Sequence, residues 1–154
     1  MAAIGQPGVN QPELRLGKAI KRFCRSAAAY RVLDATESRG ATWTSGGCGL
    51  LALALQQLMP NEAVLAVKCD GRAQHVVFRV GAFLIDADGA VRASDFLPVW
   101  CARESFRQRV ELGDWDDASD TSIPHAAPDV TLIAEALRRF RIAQLLHHEQ
   151  KDTL

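Results

Sequence analysis

Residues 46–59 read GGCGLLALALQQLM, and residues 74–89 read QHVVFRVGAFLIDADG. The first stretch predicts a helix from about Cys48 to Met59, entered through the turn-rich residues 41–47 and stopped by Pro60. It is apolar nearly all the way round, and a helix without a polar face is buried on most sides. The second stretch changes period. Val76, Phe78 and Val80 alternate with His75, Val77 and Arg79, which predicts a strand with two distinct faces. Gly81-Ala82 predicts a tight turn, Phe83 to Asp86 a further strand, and Asp88-Gly89 another turn. Ala63 to Cys69 reads as a buried strand ahead of them. The expected core is therefore a buried helix packed on a meander of short antiparallel strands.

On the N-terminal side, residues 1–9 carry Gly5, Pro7 and Gly8 without a pattern and are expected to form a loose arm. A helix is expected from Asn10, where Asn10 and Glu13 have capping-box spacing and Pro12 suits the first turn. Leu16, Ile20, Phe23, Ala27 and Tyr30 would be its inner face. On the C-terminal side, Ser94-Asp95 starts a short helix over 94–104, with Pro98 in its first turn or breaking it, and 106–112 reads as a strand. Residues 113–128 form an acidic loop, and Pro128-Asp129 opens a last helix to about His148. Its inward positions are Val130, Ile133, Ala134, Leu137 and Phe140. The fold class expected is α+β in one domain over 1–154, with N-terminal helices, the buried helix on its sheet, and a C-terminal helix.

Composition narrows the function. With 154 residues, 48% apolar and 23% charged, the chain has ordinary globular composition and is long enough to bury a core without disulfide staples. No stretch approaches the roughly 20 apolar residues of a membrane span, so no membrane partner is expected. Residues 1–11 lack the basic and apolar regions of a secretory signal, and a cytoplasmic location is expected. Eighteen basic and eighteen acidic residues cancel, so no global field recruits nucleic acid. The charges are unevenly placed. Residues 1–40 carry seven basic and three acidic side chains, and residues 111–120 carry five acidic and no basic ones. Such runs are ordinarily solvated faces. Cys24, Cys48, Cys69 and Cys101 form no CxxC pair and read as reduced thiols, neither a disulfide framework nor a zinc site.

Three residues carry candidate chemistry. Cys48 opens the buried helix, His75 lies near the start of a strand, and Asp86 ends the next strand. A cysteine at a helix N-terminus meets positive dipole and free N–H groups, which favour the thiolate. The same N–H groups can stabilise an oxyanion on an attacked carbonyl. An imidazole beside the sulfur takes its proton and returns it to the leaving group. A carboxylate behind the imidazole holds its tautomer. The hairpin register decides whether Asp86 or Asp88 fills that place. Other motifs are weaker. Asp86-x-Asp88-Gly89 lacks the later ligands of a calcium loop, and His147-His148 suits a solvated helix end. His125 is an alternative base that no local spacing favours, and no metal or cofactor is expected.

The order GGC-helix, strand histidine, strand aspartate resembles the core of the papain-like cysteine protease superfamily, which includes transglutaminase-like and bacterial amidase and deamidase branches. The resemblance covers about residues 41–92. It implies Cys48 as nucleophile, His75 as base and Asp86 as orienting acid. The Cys-His-Asp choice is more similar to transglutaminase-like and arylamine acetyltransferase members than to papain. The pattern departs from papain in having no glutamine just before Cys48. Thr42, Trp43 and Gly47 are the nearest candidates for the oxyanion and substrate loop. The activity implied is hydrolysis or transfer at an amide or acyl bond of a protein or peptide substrate, in a bacterial or phage setting. The alternative is a non-catalytic protein-binding module that retains the fold.

Overall fold

A computed structural model describes residues 11–38, 40–140 and 142. The expected arm over 1–9, the cap at Asn10 and the His147-His148 pair lie outside the described residues. Ten elements follow in chain order: α1 (Pro12–Cys24), α2 (Ala27–Asp34), α3 (Cys48–Leu58), β1 (Ala63–Cys69), β2 (Arg72–Val80), β3 (Phe83–Asp86), β4 (Gly89–Arg92), α4 (Ala93–Glu104), β5 (Glu111–Asp114) and α5 (Ala127–Arg139). The five strands form one sheet in the order β4-β3-β2-β1-β5, and every neighbouring pair is antiparallel.

The period-two pattern of β2 sorts the molecule into two cores. Val76, Phe78 and Val80 face α1, α2, α3 and α5, together with Ala66 and Ile85. Val77, Val67 and Leu84 face the other way, where Phe96 and Trp100 of α4 cover them. The sheet is thus buried on both sides, and α3 is enclosed between the sheet and α5. That enclosure explains why α3 is apolar all round: Leu50, Leu51, Ala52, Ala54 and Leu55 are all buried.

The N-terminal region departs from the single helix expected. The chain breaks at Arg25-Ser26, where Ser26 accepts a bond from the Ala29 N–H at 3.2 Å and starts α2 as its N-cap. The break resets the helical phase. Ala29 and Leu33 face inward, Ala27 is exposed, and Tyr30 is 41% exposed. Helix α1 itself is capped by Gln11 without a side-chain bond, and Pro12 supplies the preset first turn. Gly17 lets α1 lie directly on β4, since a Cβ there would come within 2.5 Å of the Ala90 nitrogen.

Three further boundaries differ from the sequence reading. The Asp88-Gly89 turn leads at once into β4, which pairs with β3 through Asp86 and Gly89. Pro98 lies inside α4 and forfeits the bond its N–H would make to the preceding turn. The strand expected over 106–112 begins only at Glu111. Phe106 and Val110 instead pack on the α4 core, and pairing with β1 starts where Glu111 meets Lys68.

Candidate active site

The loop ahead of α3 is a closed knot of backbone bonds. The Gly47 N–H donates to the Thr42 carbonyl at 2.9 Å, and the Thr42 N–H donates to the Ser45 carbonyl at 3.0 Å. The Ser45 N–H reaches the Thr42 hydroxyl at 3.0 Å. Gly46 adopts φ +91°, a conformation that suits glycine. A Cβ at Gly47 would sit 2.7 Å from the Thr42 carbonyl oxygen, so only glycine fits there. This knot delivers Cys48 to the first position of α3, where it is 4% exposed. No side chain caps α3. Its first backbone N–H groups therefore have no side-chain acceptor and point out of the helix end beside the sulfur.

The three residues expected for the oxyanion and substrate loop serve the scaffold. The Thr42 carbonyl and hydroxyl both accept bonds inside the knot, and the Gly47 N–H is spent there. Trp43 is a core residue packed on Phe23, with ring centroids 5.7 Å apart. The N–H groups that open α3 remain without a side-chain acceptor.

His75 reaches the same place from the sheet. It pairs with Val67, and the register slips by one residue immediately beyond, leaving Gln74 as the extra residue on β2. A bulge bends and twists a strand and re-aims the side chains around it. The imidazole lies on the α4 face, nearly parallel to Phe96 and Trp100, at centroid separations of 6.5 and 6.0 Å. Asp86 shares that face, because the β2–β3 register places it two residues diagonally from His75. His75 Nε2 is 2.8 Å from Asp86 Oδ2. The ionised carboxylate only accepts, so Nε2 donates and Nδ1 is the nitrogen left for the thiol.

Burial alone opposes a charge on this imidazole. The hydrogen bond to Asp86, the charge of that carboxylate and the nearby Cys48 sulfur outweigh it and raise the pKa to about 9. Burial likewise disfavours the Asp86 carboxylate, but its bond to His75, the charges of His75 and Arg103, and the Asp88 N–H hold its pKa below the usual value. The geometry thus joins His75 to Asp86, with Cys48 near enough to act on the same ring, and it is Asp86, not Asp88, that touches the imidazole. Asp88 is turned to Arg103, whose Nη1 lies 2.9 Å from Asp88 Oδ2. The two aspartates share that arginine, an arrangement unlike a calcium loop in which both would face one cation.

Two parts of the site escape sequence reading. Phe96, Trp100 and Arg103 lie on one face of α4, at i, i+4 and i+7, and this face covers His75 and Asp86. The spacing is visible in the sequence, but nothing local says which surface the helix covers. The second part is the acidic loop. A Cβ at Gly49 would meet Ile123 Cγ2 at 2.8 Å, Trp115 at 3.0 Å and the Pro124 carbonyl at 3.2 Å. The loop therefore lies against the first turn of α3. Trp115 is tied down by its N–H bond to Asp120 at 3.0 Å and by edge contact with His125 at 5.0 Å. His125 Nδ1 bonds the Ile123 carbonyl at 2.7 Å, so that ring is occupied in holding the loop.

All four cysteines are free. Burial, followed by the charges of Asp86 and Asp88, pushes the Cys24 thiol far above the ordinary range. Among the described residues, no cluster of three or more His, Cys, Asp or Glu side chains could hold a metal ion. No described helix is long and apolar enough to cross a membrane. Compared with family models, curated proteins and solved structures, the chain finds no match.

Proposed function

We propose that this chain is a papain-like thiol enzyme that attacks an amide or related acyl carbon, with Cys48 as nucleophile, His75 as base and Asp86 as orienting acid. The observation that carries the reading is the buried imidazole with Asp86 on Nε2 and the Cys48 thiol beside it. Such a ring takes the thiol proton, and the thiolate adds to the carbonyl carbon. The carbonyl oxygen becomes an oxyanion facing the free N–H groups that open α3. The imidazolium gives its proton to the leaving amine as the C–N bond breaks, leaving a thioester. Water then gives a proton to His75 and its oxygen to the thioester carbon, and the sulfur leaves and recovers a proton. Water is the default acceptor. An amine in its place gives transamidation, and a glutamine side-chain amide as substrate gives deamidation. A protein or peptide substrate in the cytoplasm fits this chemistry.

One observation favours a second reading. Cys48 and His75 are 4% and 2% exposed, and the acidic loop lies on Gly49 beside the sulfur. A protein-binding module that retains the fold would need no access to the thiol.

Iodoacetamide labelling followed by peptide mapping separates the two. The enzyme reading expects Cys48 to be alkylated well below pH 8.5, the ordinary thiol value. It also expects His75→Ala to move that reactivity to higher pH. Absent labelling of Cys48, or a pH profile unchanged in His75→Ala, sinks the enzyme reading and leaves the binding module.

A further inference from the structure

The carboxylate behind His75 is held from three directions. Asp86 Oδ2 accepts from His75 Nε2 at 2.8 Å and from Arg103 Nη2 at 3.0 Å. Asp86 Oδ1 accepts from the Asp88 N–H at 2.9 Å. An ionised carboxylate offers about four acceptor sites, so most of its capacity is filled. The donors come from β2, from the end of α4 and from the β3–β4 turn. Arg103 is itself pinned, with Nη1 2.9 Å from Asp88 Oδ2 and Nε 3.2 Å from Glu104 Oε1. Its rigid planar fork spans two carboxylates, which a lysine ammonium cannot do in the same geometry.

We propose that Arg103 is a positioning residue of this site. By sharing Oδ2 of Asp86 with the imidazole, it locks the carboxylate in place and weakens the carboxylate's hold on the His75 proton. The electrostatics follow from the positions. His75 faces Asp86 from β3, Cys48 from α3, and the uncharged rings of Phe96 and Trp100 from α4. Asp86 faces His75, Arg103 and the Asp88 N–H, and the buried Cys24 of α1 lies within range of its charge. Arg103 is thus the one fixed cation in this group. Removing it leaves the full charge of Asp86 to the imidazolium, which then holds its proton more tightly. A base that releases its proton too late transfers it poorly to a leaving group at neutral pH. The same α4 face places Phe96 and Trp100 over the ring, so one helix both buries the imidazole and tempers its basicity.

The inference concerns the pair on which the thiol reading rests, but its readout is His75 protonation, not Cys48 reactivity. The test follows the His75 ring nitrogens by NMR through a pH titration of the full chain. Arg103→Met should raise the midpoint by about 0.5 to 1 pH unit. Arg103→Lys, which keeps the charge but loses the fork, should show a smaller rise than Arg103→Met. An unchanged midpoint in Arg103→Met, or an equal rise in Arg103→Lys, overturns the proposal. If Arg103→Met does not fold, Arg103→Gln, which keeps hydrogen-bonding groups without the charge, decides instead: the midpoint should rise, and no rise overturns the proposal. A shifted midpoint with an unreactive Cys48 would uphold the role of Arg103 and sink the enzyme reading alone.

Discussion

The first turn of α3 and the acidic loop meet at Gly49 and Trp115, where a Cβ on the glycine would lie 3.0 Å from the indole ring. The same Cβ would come closer still to Ile123, at 2.8 Å. Two segments more than sixty residues apart therefore pack with no room for a methyl group, one residue from the candidate nucleophile. The loop is a lining of the site, held there by the absence of a side chain.

Gly49→Ala should consequently be destabilising although alanine is the better helix former. Overpacking of this kind costs about 1 to 3 kcal/mol. Urea denaturation measures it. A variant as stable as the parent would mean that the loop yields freely and does not shape the site.

Asp86→Asn should weaken the site far more than Asp88→Asn. The amide keeps the shape but loses the charge that stabilises the imidazolium, and a fall in Cys48 alkylation at neutral pH on the order of 10- to 10³-fold is expected. Asp88 is about one-third exposed at its side chain and makes no contact with the ring, so its replacement should change alkylation less than about threefold. Equal losses in the two variants would return the orienting role to Asp88.

Stability should fall as pH rises through the mildly alkaline range. His75 has a folded pKa of about 9 against an ordinary 6.5. Between those values the folded state holds a proton the unfolded state has lost. The stabilisation is complete below about pH 6.5, declines above it, and is gone once the ring deprotonates, at up to about 3 kcal/mol in total. Asp86 has the opposite sign: its pKa is lowered, so its contribution is present above the ordinary carboxylate value and is lost as pH falls through the folded one. Unfolding free energies measured from pH 6 to 10 should slope downward in the parent and flatten in His75→Phe. A parallel slope in both would remove His75 from the account.

Trp100→Ala should cost about 3 to 5 kcal/mol, the range for a large buried aromatic. It should also free one face of the imidazole, because Trp100 lies 6.0 Å from the His75 ring centroid and 5.2 Å from that of Phe106. Thermal unfolding reads the first effect and line broadening of the His75 ring resonances the second. Loss of stability with an unaltered His75 environment would separate core packing from the site.

Native-state labelling should distinguish the buried Cys24 from the half-buried Cys101. Cys24 lies in the α1 core under the charges of Asp86 and Asp88, which with burial hold it protonated. It should stay unmodified by iodoacetamide at pH 8 until the chain is unfolded. Modification of Cys24 at the rate of Cys101, the one cysteine only half-buried, would contradict its placement.

The sequence by itself determined the elements whose signal is local. The all-round apolar run after Gly47 could only be an enclosed helix, and the alternation over 74–80 assigned His75 and Val77 to one face and Val76, Phe78 and Val80 to the other. It also placed Cys48 and Asp86 at element ends and His75 near the start of a strand, where their meeting became an expectation. The tertiary structure decided what depends on relative placement. It chose Asp86 over Asp88 through the β3–β4 turn, which takes Asp88 out of the strand and hands it to Arg103, broke the first helix at Ser26, and set the face of α4 over the imidazole. It brought Arg103 to Asp86 and the acidic loop to Gly49. Periodicity reports which side of an element is buried because that depends on neighbours three or four residues away, or two in a strand. It carries no record of which distant surface does the burying, and the partners of Arg103 and Trp115 are set by that alone.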